Sequence, residues 1–156
     1  MDVLTLIALE GAMGSSVAIT LDVLRTANQI AEVMGRPTIT WKIIGSSESV
    51  RMRNGMRLDA LPLDSAQTIE GSMLVIPGLG LENTQELDFF GCRREKRQPG
   101  LSQSTELIAR LGHNDIRKLS KLVQEHHLRG RQTAASCSAV FVLGEAGILE
   151  GRTVTT

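Results

Sequence analysis

Residues 133–147 read TAASCSAVFVLGEAG, and this stretch decides the fold. Thr133 to Ala135 is a short run of small residues suited to the end of a strand. Ser136-Cys137-Ser138 forms a turn, and Ala139 to Ala146 reads as a helix that Gly147 terminates. A helix beginning directly after a strand presents the turn's central side chain at the carboxyl edge of the sheet. Here that side chain is Cys137, at the position of a nucleophile elbow. The helix start also supplies unpaired N–H groups and positive potential, which attract anions and favour a thiolate. The bare pattern leaves two readings open. Cys137 is either an exposed elbow thiol or a small buried residue filling space between strand and helix.

Working outward, Val3 to Leu9 is a continuous apolar run before Glu10-Gly11-Ala12, which predicts a strand buried on both faces, as in parallel sheets. Ser15 or Ser16 is expected to cap a helix that runs to about Met34, where Gly35 and Pro37 stop it. Val17, Leu21, Leu24 and Ala31 share one face of that helix, while Ile19, Val23, Ala27 and Ile30 make the other side apolar. A helix apolar on both sides needs covering twice, by the sheet and by a second subunit. Thr38 to Ile44 predicts a strand, Asn54-Gly55 within Val50 to Leu58 a hairpin, and Met73 to Ile76 a strand stopped by Pro77-Gly78. Residues 79 to 104 read mostly as loop, with a basic cluster at Arg93, Arg94, Lys96 and Arg97 taken as solvated. Two helices follow, the second near Asp115 to Leu128 with Ile116, Leu119, Leu122 and Val123 on one face. Strands alternating with helices predict a doubly wound α/β architecture: a mostly parallel, flavodoxin-like sheet with helices on both faces.

The bulk properties fit one domain of 156 residues, 42% hydrophobic and 22% charged. Seventeen basic residues balance 17 acidic ones, which argues against this segment being the main nucleic-acid contact. Two cysteines are too few for a disulfide framework. The apolar N-terminal run is too short for a secretory core, and no run approaches the length of a membrane span. The expectation is a cytoplasmic chain with no membrane contact. No Cys/His cluster has metal spacing; His126 and His127, adjacent on a predicted helix, point to different faces and read as solvated surface, and His113 as a loop residue.

Ala146-Gly147-Ile148-Leu149-Glu150-Gly151-Arg152 and Thr155-Thr156, together with Asp22 to Asn28 and Met73 to Gly78, resemble the sensor domains of AraC-family transcriptional regulators. Those domains have the class I glutamine amidotransferase-like (PfpI-type) fold. The resemblance implies a ligand-sensing domain over residues 1–156, truncated at its C-terminal end, with a helix-turn-helix DNA-binding domain beyond residue 156. It also implies what the enzymes of the superfamily carry besides the elbow Cys: a nearby His, and an acid at the start of the first helix. Here Ser138 follows Cys137, the acidic position falls on Ser16, and Leu79 stands where a second glycine follows Pro-Gly, so no catalytic residue is assigned.

The expected ligand site lies outside the carboxyl ends of the strands. It gathers Gly11, Ser16, Gly78, Leu79, Cys137 and Ser138 around a small polar or anionic metabolite, without a cofactor. With one Trp, three Phe and no Tyr, a cage for a quaternary amine is disfavoured. A homodimer is expected. The competing readings are a stand-alone cysteine-dependent hydrolase or hydratase of the same superfamily, and a redox-responsive protein using a Cys137 thiolate.

Overall fold

The computed structural model describes residues 3–65, 71–80 and 103–155. Its centre is strand β1 (Val3–Ala8), flanked on one side by β2 (Thr40–Gly45) and on the other by β6 (Met73–Ile76). A two-residue strand β5 (Leu61–Pro62) extends the sheet beyond β2, and β7 (Gln132–Ala135) extends it beyond β6. Every neighbouring pair in this five-stranded sheet is parallel. Strands β3 (Ser49–Arg51) and β4 (Arg57–Asp59) form a separate antiparallel ribbon around Asn54-Gly55, with Gly55 at φ 83° as the tight turn requires.

Alternation along β1 explains the two layers. Leu4, Leu6 and Ala8 point to one face and pack with Val17 and Leu24 of helix α1 (Gly14–Val33) and with Val50 and Met52 of the ribbon. Ile7, with Leu9 just beyond the strand, points to the other face. There they meet Ile116, Leu119 and Val123 of α3 (Asn114–Leu128) and Val142 of α4 (Val140–Glu145). Full burial of such side chains contributes roughly 1.5–3 kcal/mol each, so β1 anchors both halves. Helix α2 (Gln103–Leu111) is tied to α3 by an ion pair, Arg110 Nη1 and Nη2 each 2.8 Å from an oxygen of Asp115. Burial pushes the Asp115 carboxyl upward. The Arg110 hydrogen bond and charge, with the Ile116 N–H, outweigh it and hold the group below the usual carboxylate range.

The doubly wound architecture stands as expected, with two corrections, one element not anticipated and one open reading decided. Helix α1 starts at Gly14, its N-cap is Met13, and no side chain caps it, so neither Ser15 nor Ser16 is the cap. Ser16 lies inside the first turn, where its backbone N–H bonds Met13 O at 3.0 Å. His126 is not solvated: the inward stripe of α3 at 116, 119, 123 and 126 carries it into the core, and its Nε2 lies 3.0 Å from Gln132 O. The segment after β4 contains β5 and a short 3-10 turn, Leu63–Ser65. Cys137 is exposed, which removes the packing-residue reading. The basic cluster at 93–97 and Cys92 lie outside the described residues. No helix among the described residues is long and apolar enough to cross a membrane.

Candidate functional site

Three turns converge at the carboxyl ends of the central strands. Residues 77–80 leave β6, Gly11 to Met13 leave β1, and Ser136 to Ser138 leave β7. The connections are short and made largely by backbone. Ser136 N–H donates to Ile76 O at 3.1 Å, which continues the β6–β7 ladder one step past the strand end. Met13 N–H donates to Gly78 O at 3.1 Å.

At the apex of the third turn Cys137 has φ 52°, the only positive φ of a non-glycine among the described residues. An L-residue in this region costs roughly 1–2 kcal/mol. The chain accepts that cost because Ser136 remains extended, at φ −115° and ψ 144°, while residues 137–139 must already wind into a 3-10 turn leading to α4. Only a reversal at one residue joins the two. The thiol is thereby turned out of the core and exposed.

Gly78 forms a wall of the site. A Cβ placed on it would meet Cys137 Cβ at 3.4 Å and Met13 Cγ at 3.6 Å, so its bare backbone lies directly beside the cysteine. Gly11 is at φ 75°, and its carbonyl packs on Gly80 so closely that a Cβ there would sit 1.5 Å from the oxygen. Glycine at 80 is therefore obligatory, and Gly11 serves to lock two turns together. Leu79 is 4% exposed: its side chain belongs to the core, and only its backbone reaches the site. Ser138 Oγ donates to Leu79 O at 3.1 Å, so this hydroxyl ties the cysteine turn to the 77–80 turn. Ser16 Oγ lies 3.3 Å from Ser136 Oγ, which brings the first turn of α1 to the residue preceding Cys137.

Five of the six expected residues thus share one small region through their backbones or hydroxyls, and Leu79 joins them by its carbonyl alone. Three contributors escaped the sequence reading. Met13 faces Gly78, and Arg53 brings its Nη1 to 4.0 Å from Met13 Sδ. The amide of Asn54 seals Gly14, where a Cβ would fall 2.7 Å from its nitrogen and oxygen. The Asn54-Gly55 signal gave the hairpin but not the surface on which it docks. A separate open cavity of about 750 Å³ lies at the amino ends of β6 and β7, lined by Met73, Gln132, Leu143, Ile148 and Arg152 among others. It contains none of the six residues, and open α/β sheets bind ligands at the opposite end.

Among the described residues no group of His, Cys, Asp or Glu is arranged to hold a metal. The side-chain partners recorded at the cysteine turn are hydroxyls and a carbonyl. Such a set can hydrogen-bond a polar ligand.

The sequence matches no family model and no curated protein. Solved structures match over nearly the whole chain. Oxidized DJ-1 of Toxoplasma gondii aligns with a TM-score of 0.63 at 17% identity, covering 97% of this chain and 64% of that one. An AraC family transcriptional regulator from Pseudomonas putida aligns with a TM-score of 0.61 at 19% identity, covering 96% and 73%. The fold is the DJ-1/PfpI fold. A DJ-1 protein of Drosophila melanogaster, DJ-1beta, has it as well, with a TM-score of 0.61 at 19% identity over 94% of this chain and 61% of its own. This chain therefore spans less than two thirds of the length of the DJ-1 structures that it matches. Within the DJ-1/PfpI fold the Cys137 turn occupies the end of the sheet at which β1, β6 and β7 release their loops.

Proposed function

We propose that this chain is the ligand-sensing and dimerisation portion of a cytoplasmic AraC-type transcriptional regulator, non-catalytic at Cys137. A helix-turn-helix domain outside this sequence contacts DNA. The ligand is a small polar or anionic metabolite bound over Gly11, Ser16, Gly78, Cys137 and Ser138, and a homodimer transmits the signal. A ligand can do so only by binding two arrangements of the dimer unequally.

One observation carries this reading. Ser16, at the helix position where catalytic relatives are expected to carry an acid, is bonded through its hydroxyl to Ser136. A serine pair offers neither the charge that orients a thiolate nor a base to receive its proton. Ser138, in the place of an adjacent His, is committed to Leu79 O. The Pseudomonas putida regulator of the same fold supports the assignment, as does the run Ala146 to Arg152, in which Gly147 and Gly151 take positive φ values of 71° and 72°.

A second reading has its own support. The exposure and strained φ of Cys137 are what a nucleophile elbow requires, and they favour a cysteine-dependent hydrolase or hydratase. Incubating the purified protein and Cys137→Ala with amides, short peptides and isonitriles separates the two. The sensor reading predicts no turnover that depends on Cys137. Turnover abolished by Cys137→Ala establishes the enzyme.

A further inference from the structure

The β3–β4 ribbon is stitched to the turn that follows β1. Gly11 N–H donates to Arg51 O at 2.8 Å, and Arg53 N–H donates to Ala12 O at 3.0 Å. Met52, between the two arginines, is buried, while Arg51 and Arg53 on either side of it are exposed. Backbone bonds therefore fix where Arg53 stands, which is beside Met13. Its Nη1 lies 4.0 Å from Met13 Sδ, and among the described residues no carboxylate pairs with it. Glu10, the acid nearest in sequence to this turn, accepts the Arg51 N–H at 3.1 Å instead. A thioether is a weak acceptor, so the Arg53 guanidinium keeps its donors for a stronger partner.

Met13 in turn faces Gly78, whose bare backbone lies against Cys137. One methionine side chain thus separates the guanidinium from the cysteine turn. The turn itself offers hydroxyls and a carbonyl, which hold a neutral and an anionic ligand alike. Resting on the ligand-binding reading above, we propose that Arg53 is the specificity-determining residue of the Cys137 site, selecting a carboxylate over the corresponding neutral amide. A guanidinium meets a carboxylate with two parallel, charge-assisted N–H···O bonds, and an amide offers it one uncharged oxygen. Met13 is unbranched and adaptable, so it can yield the space between Arg53 and the ligand.

Two alkylating reagents read the charge at the turn without the natural ligand. The Cys137 thiolate displaces iodide from iodoacetate, an anion, or from iodoacetamide, its neutral amide, and forms an S–CH2 bond in both cases. The ratio of the two rates cancels changes in the exposure or ionisation of the thiol, which a merely structural role of Arg53 would alter. What remains is the preference for carboxylate over amide.

The experiment uses the full chain with Cys92→Ser, so that Cys137 is the one thiol. Arg53→Gln is expected to lower the iodoacetate-to-iodoacetamide ratio about threefold in low salt, the effect of one unit charge at roughly 10 Å. The difference should largely vanish at about 0.5 M salt, where charges are screened over a few ångströms. Arg53→Lys is expected to keep the wild-type ratio. Arg129→Gln removes the same charge just beyond the carboxyl end of α3, before β7 begins, and is expected to leave the ratio unchanged. A ratio unaltered in Arg53→Gln, or lowered equally by Arg129→Gln, overturns the proposal while the ligand-binding reading survives. A Cys137 that reacts with neither reagent shows a closed turn and overturns both.

Discussion

Replacing Cys137 by glycine is expected to stabilise the protein slightly, an uncommon direction for a substitution at a candidate site. Cys137 holds φ 52° at a cost of roughly 1–2 kcal/mol for an L-residue. Glycine removes that cost but adds unfolded-chain entropy of about 0.5–1 kcal/mol. The thiol is exposed, so little buried contact is lost with it. The balance is a gain of about 0.5–1 kcal/mol, which for a domain of this size raises Tm by about 1–4 °C. Cys137→Ala keeps the strain and is expected to change stability by less than about 0.5 kcal/mol. Urea unfolding of the three proteins followed by circular dichroism measures this. A loss of about 2 kcal/mol or more in Cys137→Gly refutes the reasoning, because only a cysteine that packs the core behaves so.

Two further predictions concern the bonds around the site. Asp115→Asn leaves Arg110, 6% exposed, without its charge partner, and is expected to cost about 3 kcal/mol in thermal or urea unfolding. Because the Asp115 pKa is depressed in the folded state, the pair's contribution is present above the unfolded value of about 4 and fades as pH falls through the lower folded value. Stability measured from pH 6 down to pH 2 should thus fall more steeply in the wild type than in Asp115→Asn. Ser138→Ala removes the bond to Leu79 O and is expected to cost about 1 kcal/mol of stability. It should change the affinity for an anion by less than about twofold, since the hydroxyl proton is already donated within the protein.

Much of the layout was legible because it is local. An unbroken apolar run gave β1, a 3.6-residue period gave α1 and α3, Asn54-Gly55 gave the ribbon turn, and the small residues before Cys137 gave the strand-to-helix turn. What escaped depends on distant contacts. Strand β5 is two residues long, one of them proline, and exists only because Leu61 and Pro62 lie beside Ile44 and Gly45. His126 looked solvated because it was weighed only against His127; continuing the stripe 116, 119, 123 by three residues leads inward to it. The hydroxyl of Ser138 was assigned to the ligand, but its partner is a carbonyl 59 residues away, which no local pattern announces. Gly80 gave no sign of its need for glycine, which arises from the carbonyl of Gly11 pressed against it. Met13 carries no local signal, and only the meeting of three turns makes it a wall of the site.

The central claim is that a ligand sits over Cys137, and calorimetry of the wild type and Cys137→Trp tests it most directly. The titrant is the small anionic metabolite that gives the largest thermal shift with the wild type. The indole fills the space beside Gly78 while pointing to solvent, so the fold is expected to survive. The account predicts that binding disappears in Cys137→Trp while unfolding temperature and sedimentation behaviour stay as they were. Unchanged affinity in a well-folded Cys137→Trp protein contradicts it and moves the site away from the cysteine turn.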